Sequence, residues 1–428
     1  MKTLGRYALM IGAAALFAGC GGSQSAIGAQ GTMPQNRIRP AALSYSVLYR
    51  FDRYPNGEEP IAGLTNVGGV LYGTDSNGGV RRCHQEGGCG TLFSITPKGT
   101  EKLLYAFKAR TGVAPEGRLI DVHGTLYGTA RQGGASGKGT VYSVTTTGLA
   151  AVLYNFLGSG DGAYPDAGVV NMNGTFYGTT TYGGSRDNGG TAYSVSSSGV
   201  HTVLHKFKGG PGGYDPEGGL INIKGTLYGT TTAGGAGCSN SAGCGTFYSM
   251  TTSGKVTVLY RFAGGSDAWG PEGNLLDVNG TLYGTSAFGG GTGCSAGLGC
   301  GTVYSVTTSG KETVLYRFTG GSDGARPFAG LVDVNGTLYG TTSQGGDDGC
   351  GDYGCGTVYS LSTAGALSVL YTFTGGNDGN APLAPLTPLK GTLYGTTLSG
   401  GDPKAGQNCC GTVFALTPEF FTFGRHRR

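Results

Sequence analysis

Eleven cysteines occur in the chain, and ten of them sit in one kind of place, the loop just before a Gly-Thr dipeptide. They fall as Cys83 with Cys89, Cys238 with Cys244, Cys294 with Cys300, Cys350 with Cys355, and the adjacent Cys409 and Cys410. Thiols at such spacings either bridge locally or bind zinc as thiolates. An even set, paired loop by loop in a chain with an export signal, favours disulfides; zinc remains the rival because thiolates from neighbouring loops could converge. Bridges closing loops this short contribute about 2 kcal/mol each at most. The adjacent pair Cys409-Cys410 would close a strained ring and is the least secure of the five.

Carboxylates form three further sets. Asp161, Asp267, Asp323 and Asp378 recur in Gly-rich loops, where a side chain either caps a turn or ligates calcium; capping is favoured. Asp347, Asp348 and Asp352 share one cysteine loop and are the best calcium candidates; no other cofactor is expected. Asp121, Asp277 and Asp333 occupy one repeat position, which argues for a structural role such as bonding the neighbouring strand. Tyr164, Tyr214, Trp269 and Tyr353 are loop aromatics, expected to be exposed and suited to stacking on sugars or contacting protein.

Evidence for catalysis is thin, and no catalytic residue is assigned. His84, His123, His201, His205 and His426 show no metalloprotease spacing. Two Gly-x-Ser-x-Gly matches, at 293–297 and 320–324, lack the strand-to-helix turn that a nucleophile elbow needs.

What positions these residues is a repeat. The tyrosine of a Leu-Tyr-Gly-Thr core (once Phe-Tyr-Gly-Thr) recurs at Tyr72, Tyr127, Tyr177, Tyr228, Tyr283, Tyr339 and Tyr394, about 50 to 56 residues apart, the range of four-stranded propeller blades. Each copy opens with two apolar runs across a dipeptide ending in Gly, such as Asn335-Gly336, which suits a two-residue hairpin. A Gly-Thr-Val-Tyr strand and an outer strand follow. Adjacent large apolar residues such as Leu338 and Tyr339 point to opposite faces, so both faces of each sheet are buried. The expected fold is therefore all-β, a seven-bladed propeller of four-stranded antiparallel blades, with a β-solenoid as the alternative.

An outer-strand signature at Val47 to Phe51 precedes the first core, and the last repeat lacks its own. The N-terminal strand is thus expected to close the ring, in competition with Phe420 to Phe423. In such a ring the first-to-second and third-to-fourth turns share one face and are tight. The other face carries the longer second-to-third loops and the crossovers, each with a proline (Pro60, Pro115, Pro165, Pro216, Pro271, Pro327, Pro382), and is the expected working face.

Lys2, Arg6 and the apolar run from Ala8 to Phe17 read as a secretory signal, ending in Leu16-Phe17-Ala18-Gly19-Cys20. That ending resembles a bacterial lipobox, which implies cleavage before Cys20 and lipidation of its thiol. Residues 1–20 are then the signal, 21–43 a Gly/Ser/Gln tether, 44–416 the propeller, and 417–428 a basic tail. A net charge of +4, partly from the termini, gives little reason to expect nucleic acid. Contact with a membrane is expected through the lipid alone, on an exported monomer at the outer membrane or cell surface; simple secretion is the alternative.

The segments Val314 to Leu331, Gly336 to Gly346 and Gly356 to Leu361 resemble the GloVer-type tandem repeat of exported bacterial proteins, a likeness covering about Ser44 to Leu416. The resemblance implies a propeller-like surface protein and no particular reaction. Three functions follow as expectations: a non-catalytic binder of glycan or protein through the long-loop face, a carbohydrate-active hydrolase or lyase with a site near the axis, or a structural envelope component. The enzyme should carry clustered carboxylates, or His and Tyr, at the ends of the inner strands.

Overall fold

The computed structural model describes residues 43–417 apart from 53–54, 81–82, 84–86, 236–237, 239–241, 292, 295–296, 347 and 402–409. The signal, Cys20, all but the last residue of the tether, the tail and Phe420 to Phe423 lie outside the described residues.

Seven four-stranded antiparallel sheets are the blades of a ring. A representative blade, the fifth, runs from an inner strand Leu276–Val278 through Thr281–Ser286 and Thr302–Thr307 to an outer strand Glu312–Arg317. The seventh blade takes Thr387–Leu389, Thr392–Thr397 and Thr412–Thr417 from the C-terminal end, and its outer strand is the N-terminal Ser44–Arg50. The ring therefore closes as the orphan outer strand predicts, and a solenoid is excluded.

Local chemistry explains the blade. At the inner hairpin of the sixth, Asn335 (φ 54°) and Gly336 (φ 82°) both take the left-handed region, as a type I′ turn demands. Asp121 and Asp277 each accept the amide of the turn glycine three residues on, Gly124 (2.9 Å) and Gly280 (2.8 Å). They cap their own hairpins instead of bonding the neighbouring strand, a correction of partner within the expected structural role. Asp333 holds the same position on its strand.

Packing on both faces is what makes Leu-Tyr-Gly-Thr recur. The leucine of the second strand is fully buried, and the glycine faces the ring of the third strand, where a Cβ on Gly229 would lie 2.6 Å from the Tyr248 hydroxyl. Tyr142, Tyr193, Tyr248, Tyr304 and Tyr359 fill this place in the middle blades, and Phe93 and Phe414 in the first and last. Each ring meets the phenylalanine that follows the outer strand of the preceding blade, edge to face in six of the seven pairs, as Phe262 meets Tyr304 at 5.1 Å, and tilted between Phe207 and Tyr248.

The crossover aspartates cap turns. Asp323 accepts the Thr319 amide (2.9 Å) and the Tyr316 hydroxyl (3.0 Å), and Asp161, Asp267 and Asp378 repeat the pattern with Tyr154, Tyr260 and Tyr371. These pairs also clasp blades at the rim. His201 stacks on Tyr154 of the previous blade at 4.0 Å and meets Asp161 at 3.3 Å, while Tyr45 stacks on Tyr371 at 3.8 Å across the closing junction.

Candidate functional site

On the long-loop face every crossover makes the same move. The residue before each recurring proline takes a left-handed φ: Glu59 61°, Ala114 55°, Tyr164 59°, Asp215 56°, Gly270 64°, Arg326 59° and Ala381 54°. That region costs an L-residue energy, the more so before proline, and its use by six such residues and one glycine at the same place in every crossover marks it as a requirement of the ring. The gain is a pair of hydrogen bonds joining blades. Arg326 donates its amide to the Cys300 carbonyl of the previous blade (2.8 Å), and its own carbonyl accepts from Ser343 (3.1 Å). Ala114, Gly270, Ala381 and Glu59 donate likewise to Cys89, Cys244, Cys355 and Cys410.

That geometry gives the cysteines a purpose. Cys83–Cys89, Cys238–Cys244, Cys294–Cys300 and Cys350–Cys355 are bridged, as expected from their pairing. In each, the second cysteine carries the carbonyl that receives the next blade. Cys410 takes the same role and is buried; Cys409 lies outside the described residues.

Turning after the proline, the chain sends the next side chain to the axis. Four consecutive blades contribute carboxylates, Glu116, Asp166, Glu217 and Glu272; the remaining three contribute Phe328, Leu383 and Ile61. Together they line the mouth of an axial funnel with a cavity of about 120 Å³, room for a small ligand or several waters but not for an oligosaccharide. Two residues further in, the wall is mostly backbone. A Cβ on Gly330 would lie 2.7 Å from the Asn274 carbonyl oxygen, and one on Gly168 would collide with the Arg118 carbonyl. Arg118 and Asn274 are the polar side chains at this neck.

Three arginines stand near this face, and one of them, Arg131, pairs with the carboxylates. Arg131 Nε lies 2.8 Å from Asp166 Oδ1 and 3.9 Å from Glu116 Oε2, and Thr181 donates to the other Asp166 oxygen. Arg326 lies over the Phe288 ring at 4.0 Å and donates to the Ala287 carbonyl (3.1 Å). Burial lowers its pKa to about 10, with Glu272 acting in the opposite direction. Arg118 donates Nη2 to the Leu64 carbonyl (3.2 Å), and burial lowers its pKa too.

Of the loop aromatics, Tyr353 is exposed, whereas Tyr164, Tyr214 and Trp269 are half-buried. The expectation of exposure fails for these three because crossover and second-to-third loop pair with each other: Tyr214 with Ala233, and Trp269 with Phe288, whose rings meet at 5.5 Å. Tyr164 is flanked by Arg131 and Lys138 and borders a second cavity of about 330 Å³, beside Val113 and Gln132. The four aromatics come from four different crossovers or loops and do not share one platform. The calcium candidate Asp347 and the side chains of Asp348 and Asp352 lie outside the described residues. Among the described residues no group of three or more His, Cys, Asp or Glu is placed to hold a metal ion.

Sequence reasoning missed the axial ring, although a signal exists. Pro-Glu-Gly or Pro-Asp-Ala follows at 115–117, 165–167, 216–218 and 271–273. The recurring inner-strand aspartates that drew notice lie at the hairpin ends, on the opposite face.

Among solved structures, streptogramin B lyase superposes with a TM-score of 0.53 at 14% identity, over 88% of this chain and 97% of that one. A gluconolactonase from Xanthomonas campestris gives 0.42 at 13%, over 90% and 93%, and the aldose sugar dehydrogenase of Streptomyces coelicolor 0.44 at 12%, over 88% and 99%. At 14% identity the likeness to the lyase is one of fold alone. Among curated proteins none matches. The Gloeobacter/Verrucomicrobia repeat matches residues 20–241 and 237–426, nearly the whole propeller and its seven blades, and the chain belongs to that repeat family.

Proposed function

We propose that this is an exported, lipid-anchored binding protein, held through Cys20 and the tether, that presents its long-loop face to a glycan or protein ligand and seats part of that ligand in the axial funnel. One observation carries the reading: the residue after each crossover proline lines one mouth, with carboxylates on four successive blades and apolar side chains on the other three. A mouth built only for stability has no need of acids on four successive blades. The local disulfides, which among the described residues all lie in loops of this face, fit an exported protein whose loops must hold their shape. The cavity beside Tyr164 supplies a flanking aromatic contact on the same face.

A hydrolase or lyase is the second reading, and the same carboxylates favour it, since they stand at the inner-strand ends where acid–base groups were expected. The discriminating experiment uses the soluble protein from residue 21 onward, screened against glycan and peptide arrays, with mass analysis of every bound partner. Partners recovered intact, with affinity lowered roughly tenfold by Glu217→Gln and by Phe328→Ala, support binding. Cleaved products select the enzyme instead. Retention of the full-length Cys20→Ser variant in the membrane fraction would contradict the lipid anchor.

A further inference from the structure

The chain enters and leaves the propeller on the face of the tight hairpins. Ser44, the first residue of the closing strand, pairs with Thr417, the last of its partner, and the Thr417 hydroxyl lies 2.9 Å from that of Thr392, just past the Lys390-Gly391 turn. The other end of the same strand pair, Arg50 with Thr412, lies among the long loops. Tether and tail therefore both join the propeller on its hairpin side.

That face has a surface chemistry its turns do not require. Left-handed backbone opens each inner hairpin, and Asn173, Asn279 and Asn335 suit it, yet blades four and seven place exposed lysines there, Lys224 (φ 48°) and Lys390 (φ 50°). At the rim, the residue after the turn glycine donates its amide to the hydroxyl four residues back whatever its own side chain is. It is Leu149 and Val200 in blades two and three, Lys255 and Lys311 in blades four and five. Leu149 and Val200 are 75% and 66% exposed, the most of any large apolar side chains among the described residues. Lys98 is exposed on the same turn of blade one. Among the described residues none of these five lysines makes an ion pair. The carboxylates of this face are engaged within the protein or half-buried: Asp121 and Asp277 cap their own hairpins, and Asp333, Glu101 and Glu312 are half-buried, with burial raising the pKa of both glutamates. On the long-loop face, by contrast, every crossover carries at least one carboxylate.

We propose that the hairpin face docks on an anionic phospholipid surface, with its lysines among the headgroup phosphates and Leu149 and Val200 at the interface, which turns the long-loop face away from the membrane. Lysines are attracted to such a surface, and apolar side chains set beside them add buried area. A single acyl chain holds a protein to a bilayer only weakly, so a basic face at the root of the tether supplies the second contact. This inference rests on the reading of the chain as lipid-anchored, since the tether decides which face is brought to the bilayer.

Co-sedimentation of the protein from residue 21 onward with vesicles tests the face without the lipid. Vesicles of phosphatidylglycerol mixed with phosphatidylcholine should carry the protein down, phosphatidylcholine alone should not, and added salt should release it. Lys98→Gln, Lys255→Gln and Lys311→Gln should each lower the affinity roughly fivefold, the worth of one basic side chain beside an anionic surface. Lys206→Gln and Lys208→Gln, at the long-loop end of the third blade, should leave it unchanged. Nitroxide-labelled headgroups then report orientation: in a Trp269→Phe background the indole introduced by Leu149→Trp should be quenched, whereas native Trp269, on the long-loop face, should not. Quenching of native Trp269 alone, or equal loss of binding from the two sets of lysines, overturns the inference. Absence of binding to the anionic vesicles overturns it too and leaves the lysines to an acidic protein. Because this protein carries no lipid, each of these outcomes is read independently of the anchor, which stands or falls on the Cys20→Ser fractionation.

Discussion

Asp75 stands where blades three to seven carry threonine or serine. In those blades the side chain pairs with a third-strand threonine, as Thr342 with Thr357 at 2.9 Å and Thr231 with Thr246 at 2.8 Å. Asp75 keeps the bond to Thr91, but its Oδ1 is buried without a hydrogen-bond partner. Burial raises its pKa well above the ordinary carboxylate range, opposed by Thr91 and helped by Glu101 and Glu58. The folded state therefore holds a proton that the unfolded state has released. Stability from this group is present at low pH and declines as pH rises from about 4 through the folded pKa. Asp75→Thr should stabilise the protein at pH 7 by about 1–3 kcal/mol, the cost of one unsatisfied buried polar group, and the gain should vanish as pH falls toward 4. Denaturant melts at both pH values check this; a gain independent of pH would refute the protonation account.

At the scale of the element, the crossover and the cysteine loop form one device. The strained residue before each proline is held by the carbonyl of the next-to-last loop residue in the preceding blade, and four bridges fix that carbonyl in place. Loss of one bridge should be felt locally, because closing a six-residue loop contributes about 2 kcal/mol or less while the blade cores are untouched. Replacing Cys294 and Cys300 together by serine is expected to raise amide exchange at Arg326, whose N–H bonds the Cys300 carbonyl, and to leave exchange at Leu282 and Val303 unchanged. Uniform acceleration across the blade would show that the bridge supports the whole sheet.

For the whole molecule the decisive joint is the seventh blade, where strands from the two ends of the chain meet. Ser44–Arg50 covers the third strand Thr412–Thr417, and Tyr45 packs between Tyr371 and Phe414. Removing residues 43–50 exposes a strand edge and strips Tyr45 and Leu48 from the core, at about 1.5–3 kcal/mol for each side chain. The shortened protein should melt at lower temperature and form oligomers through the bare edge, seen by calorimetry and size-exclusion chromatography. A monomer with unchanged melting would mean that the ring does not depend on its clasp.

Much of this was written in the chain. Blade number, strand order, the tight hairpins at dipeptides such as Asn335-Gly336, the pairing of cysteines within loops, and the capping by Asp161 and Asp323 all depend on residues close in sequence, so spacing reveals them. Closure by the N-terminal strand was legible as well, from the one outer strand left without a blade. The burial of Trp269 was not, because the Phe288 that covers it belongs to a loop 19 residues away and on another segment of the blade. Least visible of all was the axial ring. Glu116, Asp166, Glu217 and Glu272 are each one residue of one repeat, and Phe328, Leu383 and Ile61 break the pattern of type that a repeat reader follows. Periodicity determined that such positions exist. Only the closed ring, which brings seven equivalent positions from distant parts of the chain to a single axis, decided that acid faces hydrocarbon across a cavity above Arg118.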